Sequence, residues 1–260
     1  QPPAMSPIQP ASRKGGWCQS FSGKMFWPED PYLSDMSIED IAHSLSGLPR
    51  FLHHTSLTYV VGEHCLRAAK AARLSERSDL CARSFFRHPD PAVAAARRGL
   101  ALLMHDGSEA YLGDLPPAIK SALPYYRHME WEFQRRINLM AGLPESTHET
   151  ELVRFYDLTM LATEKRDLMV KPPAPWGELP DPLADRIYPN SDCHGIEIDF
   201  RLMYVKLRAE AAVPLKPTHG HRCPTCKDLY PCGDSCAVSD SLSLPEGASE
   251  TCPDCLRERA

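Results

Sequence analysis

Apolar residues at helical spacing are the strongest structural signal in this chain, and one such run, 93–104, leads directly to His105 and Asp106. Neighbouring residues on a helix point about 100° apart, so these two side chains cannot duplicate a single contact. An imidazole nitrogen and a carboxylate oxygen can instead hold one cation from two directions. The pair therefore predicts a metal site at the end of a helix.

Further stripes of the same period predict a mainly α-helical body. We expect one helix to begin at Ser37, with Asp40 as the acid of a capping box, and another over about 149–170. Residues 74–91 are polar and rich in Arg, which indicates a loop or a surface insertion. No segment alternates as a confident strand does, so the expected fold class is a helical bundle. The other stripes are Val61, Cys65, Ala68 and Ala72; Tyr126, Met129, Phe133, Ile137 and Met140; and Ile196, Phe200, Met203 and Leu207.

The composition limits the class of protein. The 260 residues are 43% hydrophobic and 24% charged, which suffices for one sizeable domain and a smaller unit. We divide the chain into a disordered tail (1–15), a main domain (16–212) and a C-terminal module (213–260). The net charge of -5 argues against nucleic acid as a partner. No apolar run approaches the ~18–20 residues of a membrane span and the N-terminus lacks a signal-peptide core, so we expect no membrane contact and a cytoplasmic location.

Two more residues support a metal site between separate helices. Asp157 lies in the middle of an apolar helical face, where a carboxylate is costly unless it is paired or bound to a cation. An ion pair with Arg or Lys explains Asp157 about equally well. His64 taken alone is more typical of a hydrogen-bonded core histidine. The order His, His-Asp, Asp along the chain is nevertheless what a buried metal site formed by three helices requires.

Two acids after the His-Asp pair are candidate catalytic groups. Glu109 is four residues beyond His105, so a continuing helix places it on the same side. Its carboxyl could protonate a leaving oxygen or position the attacking water, or it is simply an exposed acid at a helix end. Asp114 could contact that water, or cap the next short helix. A divalent ion with an open position would polarise a phosphoryl oxygen, which favours phosphate-ester hydrolysis.

With these residues the chain resembles the HD-domain phosphohydrolase superfamily over about residues 16–210. The match is strongest to its 5′-deoxynucleotidase branch, including phage homologues that hydrolyse dATP to deoxyadenosine and triphosphate. The resemblance implies a bundle of helices around the metal, with His64, His105, Asp106 and Asp157 as ligands. The segments that carry it are IEDIAH at 38–43, RF at 50–51, VGEH at 61–64, HDGSEAYLGD at 105–114, and Asp157 with ATE at 162–164.

The resemblance also implies roles for other residues. Glu109 corresponds to the catalytic acid and Asp114 to a nearby catalytic or sugar-contacting group. Arg50 and Phe51 match an Arg-aromatic pair that touches phosphate and base in relatives, and their chemistry fits those contacts. Two departures are Gly107, where Ala is more usual, and Ala118, where the phage relatives have Pro. Further candidates for substrate contact are Lys24, Trp17, His54, His43 and Lys120, of which His43 and His54 are equally explained as core.

The C-terminal module contains two Cys-x-x-Cys knuckles. Four thiolates from two such turns form a tetrahedral zinc site, the pattern of a zinc ribbon. Without a secretory context we favour structural zinc over disulfides. Residues 217–260 carry four Lys/Arg against seven Asp/Glu, so a protein contact is a better role for the module than nucleic acid. The predicted zinc ligands are Cys223, Cys226, Cys252 and Cys255. Cys232 and Cys236 are favoured as free thiols, with alternative zinc ligands or a second site with His219 or His221 as the other interpretations.

The sequence thus leads to one preferred activity. We expect a metal-dependent hydrolase of the 5′ phosphoester of deoxynucleotides, favoured as a dNTP triphosphohydrolase, with dATP as one substrate. The alternatives are a 5′-deoxynucleotidase that acts on dNMPs, an HD nuclease or nucleic-acid-binding protein, and an inactive HD scaffold. Mixed His and carboxylate ligands suit Mn, Co, Fe, Ni or Zn. Relatives form oligomers, so we expect a homo-oligomer, in the host cytoplasm if the chain is phage-encoded.

Overall fold

The body of the protein is helical. The computed structural model describes residues 13–75, 80 and 84–211, and the backbone of 220–222 and 229–231. The mainly α-helical class is therefore confirmed. The helices are α1 (Ile38–Gly47), α2 (Val61–Arg73), α3 (Pro91–Met104), α4 (Glu109–Leu112), α5 (Pro117–Ala122), α6 (Pro124–Ala141), α7 (Glu151–Leu168) and α8 (Cys193–Glu210). The short strands β1 (Cys18–Gln19) and β2 (Met25–Phe26) pair antiparallel, as do β3 (Gly220–Arg222) and β4 (Leu229–Pro231).

Helices α2 and α3 form the centre of the bundle. Helices α2 and α3 pack against each other. Helices α1 and α8 pack on one side of this pair, and α7 lies against both α2 and α3. The apolar stripe predicted for α2 is buried along its whole length, and the side chains of Leu100 on α3 and Phe200 on α8, two of the helices that pack against α2, are fully buried. The predicted helical periods are thus confirmed, and the pairing of α2 with α3 fixes where the end of α3 lies.

Helix α1 begins as expected, but its cap differs from the prediction. Ser37 is the N-cap, and its Oγ accepts the backbone N–H of Asp40. The Asp40 carboxylate does not reach back to the Ser37 N–H, which donates to the Tyr111 hydroxyl instead. The Asp40 carboxylate accepts hydrogen bonds from the Ser37 hydroxyl and from the backbone N–H and hydroxyl of Ser22. Asp40 therefore ties the β1–β2 hairpin to the bundle.

Helix α3 ends at Met104 and does not continue as a regular α-helix through Asp106. The backbone N–H of Gly107 donates to Met104 and that of Glu109 to Asp106, both over three residues. This tighter winding still places Glu109 on the side of the His-Asp pair. Gly107 fits here because a Cβ would lie 2.8 Å from Cγ2 of Ile137 and 3.1 Å from the Met104 carbonyl. Ile137 therefore occupies the space that Ala would need.

Several predictions fall beyond the described residues. The predicted zinc ligands Cys223, Cys226, Cys252 and Cys255 lie outside them, as do Cys232 and Cys236. Most of the predicted tail, residues 1–12, also lies outside. Within the described part, none of the helices combines the length and the apolar character that spanning a membrane requires.

Candidate metal centre

Three helical segments bring the predicted ligands together. Helix α2 supplies His64, the end of α3 supplies His105 and Asp106, and α7 supplies Asp157. Ligand atoms of His64, His105 and Asp106 all lie within 4.8 Å of one another. Both histidines are buried, and this group of three could hold a metal ion.

The atoms that face one another are two imidazole nitrogens and two carboxylate oxygens. Nε2 of His64 lies 3.2 Å from Nε2 of His105. Oδ2 of Asp106 lies 3.6 and 3.3 Å from these two nitrogens. Oδ1 of Asp157 lies 3.4 Å from Nε2 of His64 and 3.8 Å from Nε2 of His105. His64, His105 and Asp106 thus form a mutually close group, and Asp157, whose side chain is 42% exposed, approaches the two histidine nitrogens from α7.

The outer nitrogen of each ring determines which nitrogen carries the proton. Nδ1 of His64 lies 2.6 Å from Oε1 of Glu164, and Nδ1 of His105 lies 2.7 Å from the Leu102 carbonyl oxygen. Both acceptors require an N–H donor, so each neutral ring carries its proton on Nδ1. The two Nε2 atoms then present lone pairs toward each other and toward Asp106 and Asp157. Four lone pairs that face inward repel one another unless a positive charge lies between them.

The pKa shifts show the same demand for positive charge. Burial alone lowers the pKa of His105, but Asp106 and Asp157 more than offset this and raise it well above its usual value. Burial also opposes ionisation of Asp157, yet hydrogen bonds from His105 and His64 hold its pKa well below the usual range. The site therefore takes up protons where a cation would satisfy the same carboxylates.

Arg50 and Glu164 form a second layer around the ligands. Nη1 of Arg50 lies 3.3 Å from Oδ2 of Asp106, and its Nε lies 3.4 Å from Oε2 of Glu164. Both side chains are buried, Glu164 completely. The guanidinium predicted to touch phosphate is thus held next to the ligands by two carboxylates.

The candidate acid Glu109 is buried beside the metal group. Its Oε1 accepts from Nζ of Lys120 at 3.1 Å, and Lys120 also contacts Oε1 of Glu130 at 2.5 Å. Oε2 of Glu109 is buried and has no hydrogen-bond partner among the described residues. Burial, with the negative charges of Asp106 and Asp114, raises the pKa of Glu109 well above its usual value although Lys120 opposes this. Glu109 is therefore a carboxyl that retains a proton and has one free oxygen.

Asp114 and Phe51 meet at a strained turn. The backbone N–H of Phe51 donates to Oδ2 of Asp114 at 3.3 Å, so Asp114 does not cap α5. Phe51, Leu52 and His53 have φ angles of 56°, 52° and 65°, a left-handed conformation that costs on the order of 1 kcal/mol or more for each side-chain-bearing residue. The Phe51 ring lies 6.5 Å from that of Trp176 and 5.4 Å from the Arg50 guanidinium. The left-handed turn thus leaves the Phe51 ring near both the Arg50 guanidinium and the Trp176 ring.

The other predicted contact residues lie apart from this group. Trp17 and His54 are exposed, and Lys24 lines a separate surface cavity of about 590 Å³ with Arg13 and Trp27. His43 stacks on Phe21 and pairs with Glu197 of α8 at 3.0 Å. Within the described residues, no hydrogen bond or ion pair joins Trp17, Lys24, His54 or His43 to the proposed ligands. Their contact with substrate stays a prediction.

Sequence reasoning gave no role to Glu164, which the structure places against His64. Glu164 is seven residues after Asp157, so both lie on the same face of α7. That spacing was the available signal, because two acids on one otherwise apolar helix face need two partners. Trp176 gave no comparable signal, since it lies in a Pro-rich loop without periodicity.

Comparison with known proteins yields two relatives. The chain is 35% identical to the uncharacterized protein YfdR of Escherichia coli K12 over 150 residues, which are 58% of this chain and 71% of YfdR. It is 30% identical to an uncharacterized protein of Rhodobacter capsulatus over 134 residues, which are 50% of this chain and 61% of that protein. No protein-family model matches the chain.

Proposed function

We propose that this chain, which belongs to the family of the Escherichia coli protein YfdR, is a metal-dependent hydrolase that cleaves the 5′ phosphoester of deoxynucleotides. One observation carries the proposal. The Nε2 atoms of His64 and His105, whose rings carry their protons on Nδ1, lie 3.2 Å apart, and each lies 3.3–3.8 Å from one carboxylate oxygen of Asp106 and one of Asp157. With each ring protonated on Nδ1, these four atoms are all acceptors, so a divalent cation is their natural partner.

The donor set fits a transition metal. Nε2 of His64 and His105 and one oxygen each of Asp106 and Asp157 would be the ligands, with Asp157 as the fourth. Two nitrogens and two hard oxygens suit Mn, Co, Fe, Ni or Zn. A bound cation would polarise a phosphoryl oxygen and offset the charge that develops on the phosphate.

Glu109 supplies the proton in this proposal. When water attacks phosphorus and the bond to the 5′ oxygen breaks, that oxygen needs a proton. Glu109 holds one because its pKa is raised, and its free Oε2 is the atom that would deliver it. Lys120 fixes the carboxyl through Oε1, so only Oε2 is available to the leaving oxygen.

Arg50, Phe51 and Asp114 line the approach to the metal group. The resemblance to deoxynucleotidases assigns contacts with phosphate and base to Arg50 and Phe51, and a catalytic or sugar-contacting role to Asp114. Their positions are consistent with these roles, because Arg50 contacts the ligand Asp106 and Phe51, the next residue, is half-buried with its ring 5.4 Å from the Arg50 guanidinium. The left-handed turn that begins at Phe51 follows Arg50 directly, and the Phe51 backbone N–H donates to the Asp114 carboxylate, so the three residues are neighbours.

The length of the phosphate chain separates two candidates. The resemblance to phage homologues favours dNTP substrates, dATP among them, with deoxynucleoside and triphosphate as products. The ion pairs favour the second candidate, a 5′-deoxynucleotidase for dNMPs. Arg50, next to Asp106, is already paired with two carboxylates, and Lys120, next to Glu109, is paired with Glu130, which leaves less positive charge for a triphosphate.

The test is a product-resolved turnover panel. The purified chain with added Mn²⁺ or Co²⁺ is incubated with every dNTP and dNMP, and nucleoside, phosphate, pyrophosphate and triphosphate are separated. Deoxynucleoside together with triphosphate supports the first candidate, and phosphate released only from dNMPs supports the second. Asp106→Ala should abolish turnover, whereas the exposed Asp192→Ala serves as a matched control. No turnover of either set by the metal-loaded wild type would contradict the proposed function.

A further inference from the structure

The outer face of α8 exposes a stripe of apolar side chains. Ile198, Leu202 and Val205 are 44%, 64% and 64% exposed, and Ala209 is also exposed. Their spacing of four, three and four residues is that of a seam between two packed helices. The opposite side of α8 is buried against α1, α2 and α3, so this stripe points away from the bundle. A continuous exposed apolar stripe is typical of a contact surface.

The charges beside the stripe match those of a second copy turned end to end. At 100° per residue, Asp199, Lys206 and Glu210 lie along one edge of the stripe, where Lys206 also pairs with Glu210 at 3.8 Å, and Arg201 flanks the other edge. If Leu202 of one copy faces Val205 of the other in an antiparallel pair, Asp199 lies beside Lys206 of the second copy, and the twofold axis repeats this contact. In a parallel pair, Arg201 would lie beside Lys206 of the second copy, and the like charges would repel.

We propose that the outer face of α8 is the contact surface of a homodimer in which two α8 helices pack antiparallel. A second copy is the occupant that this face fits, because one edge of it is self-complementary in charge. A single pair of 18-residue helices, about 27 Å long, is a small interface, so we expect a dissociation constant roughly in the micromolar range. The inference does not depend on the proposed function.

The dimer leaves the metal centre accessible. The ligands lie on α2, on α7 and at the end of α3, whereas the stripe is on the far side of α8 from these helices. Association should therefore change neither the ligand geometry nor the approach past Phe51. Variants of the stripe can be tested for assembly without loss of the site.

The first experiment is sedimentation velocity of the full chain from about 1 to 100 µM. The wild type should show a concentration-dependent monomer–dimer equilibrium. Leu202→Asp should weaken association about 100-fold, because it places two charges in the centre of the seam. Leu74→Asp is the matched control, since Leu74 is 84% exposed at the end of α2 and should leave association unchanged. A wild type that stays monomeric over this range would overturn the proposal.

The second experiment is a charge swap, which keeps the test valid if Leu202→Asp fails to fold. Asp199→Lys and Lys206→Asp should each weaken association about tenfold, because each creates two like-charge contacts in the dimer. The double variant D199K/K206D restores opposite charges across the axis and should recover most of the wild-type affinity. Additive loss in the double variant, or an oligomer insensitive to all of these changes, would show that another surface is used.

Discussion

Glu164 is predicted to control metal affinity without being a ligand. Its carboxylate is fully buried, accepts the Nδ1 proton of His64 at 2.6 Å and lies 3.4 Å from Nε of Arg50. This bond orients the ring and leaves Nε2 unprotonated and directed at Asp106 and Asp157. Glu164 thus positions the ligand His64.

The size of the effect follows from the type of hydrogen bond. A bond to a charged acceptor contributes about 1.5–3 kcal/mol and a neutral one about 0.5–1.5 kcal/mol. Glu164→Gln keeps an acceptor but removes the charge, so Mn²⁺ affinity should fall about tenfold. Glu164→Leu leaves the buried Nδ1–H without a partner, and affinity should fall about 100-fold, within the range known for such supporting residues.

The assay is isothermal titration calorimetry, in which Mn²⁺ is titrated into the protein and the dissociation constant is measured. Mn²⁺ is chosen because it prefers oxygen and nitrogen to the thiolates of the C-terminal cysteines. Glu145→Gln is the control, since Glu145 is also buried and ion-paired, but with Arg135 on α6. Circular dichroism verifies the fold of each variant. If Glu164→Gln and Glu164→Leu both bind Mn²⁺ within twofold of the wild type, the positioning role of Glu164 is wrong.

Two substitutions and one chelation experiment give the remaining predictions. Glu109→Gln should lower kcat about 10²–10⁴-fold with little change in KM and remove the loss of activity at high pH, since the raised pKa of Glu109 keeps the acid form until pH passes that pKa. A buried carboxyl whose pKa is raised in the folded state destabilises the fold progressively as the pH rises above the pKa of the same group in the unfolded chain. Glu109→Gln should therefore also raise Tm at pH 8 relative to the wild type, and this gain should shrink toward pH 4. A difference in Tm between variant and wild type that is the same at both pH values would contradict this. Gly107→Ala should cost about 1–3 kcal/mol in urea unfolding because its Cβ meets Ile137, and a neutral result would mean that Ile137 moves at no cost. Chelation by EDTA should abolish turnover and lower Tm, with recovery on addition of Mn²⁺; full activity of the chelated chain would exclude the metal role.

The helices and the order of the ligands could be predicted because both depend on local periodicity. The apolar period placed α2, α6 and α8 correctly, and the end of the α3 stripe located His105 and Asp106. Asp157 was predicted because a carboxylate within an apolar face needs a partner, although the structure leaves its side chain 42% exposed at the edge of that face. These signals need only the spacing of residues along one helix.

The supporting contacts could not be predicted because they join distant segments. His64 and Glu164 are 100 residues apart, and Arg50 and Asp106 are 56 apart. The left-handed turn at Phe51 has no glycine to indicate it and depends on Asp114 for a hydrogen-bond acceptor. In each case tertiary packing, not local propensity, determines the partner.

The most direct test of the metal centre is an anomalous difference map from a crystal of the full chain soaked in Mn²⁺. The account predicts one strong peak bonded to Nε2 of His64 and His105 and to carboxylate oxygens of Asp106 and Asp157, at about 2.0–2.3 Å. Glu164 should remain hydrogen-bonded to His64 outside the metal shell. A map with no peak there, or with the His64 and His105 Nε2 atoms bonded only to protein, would contradict the central claim.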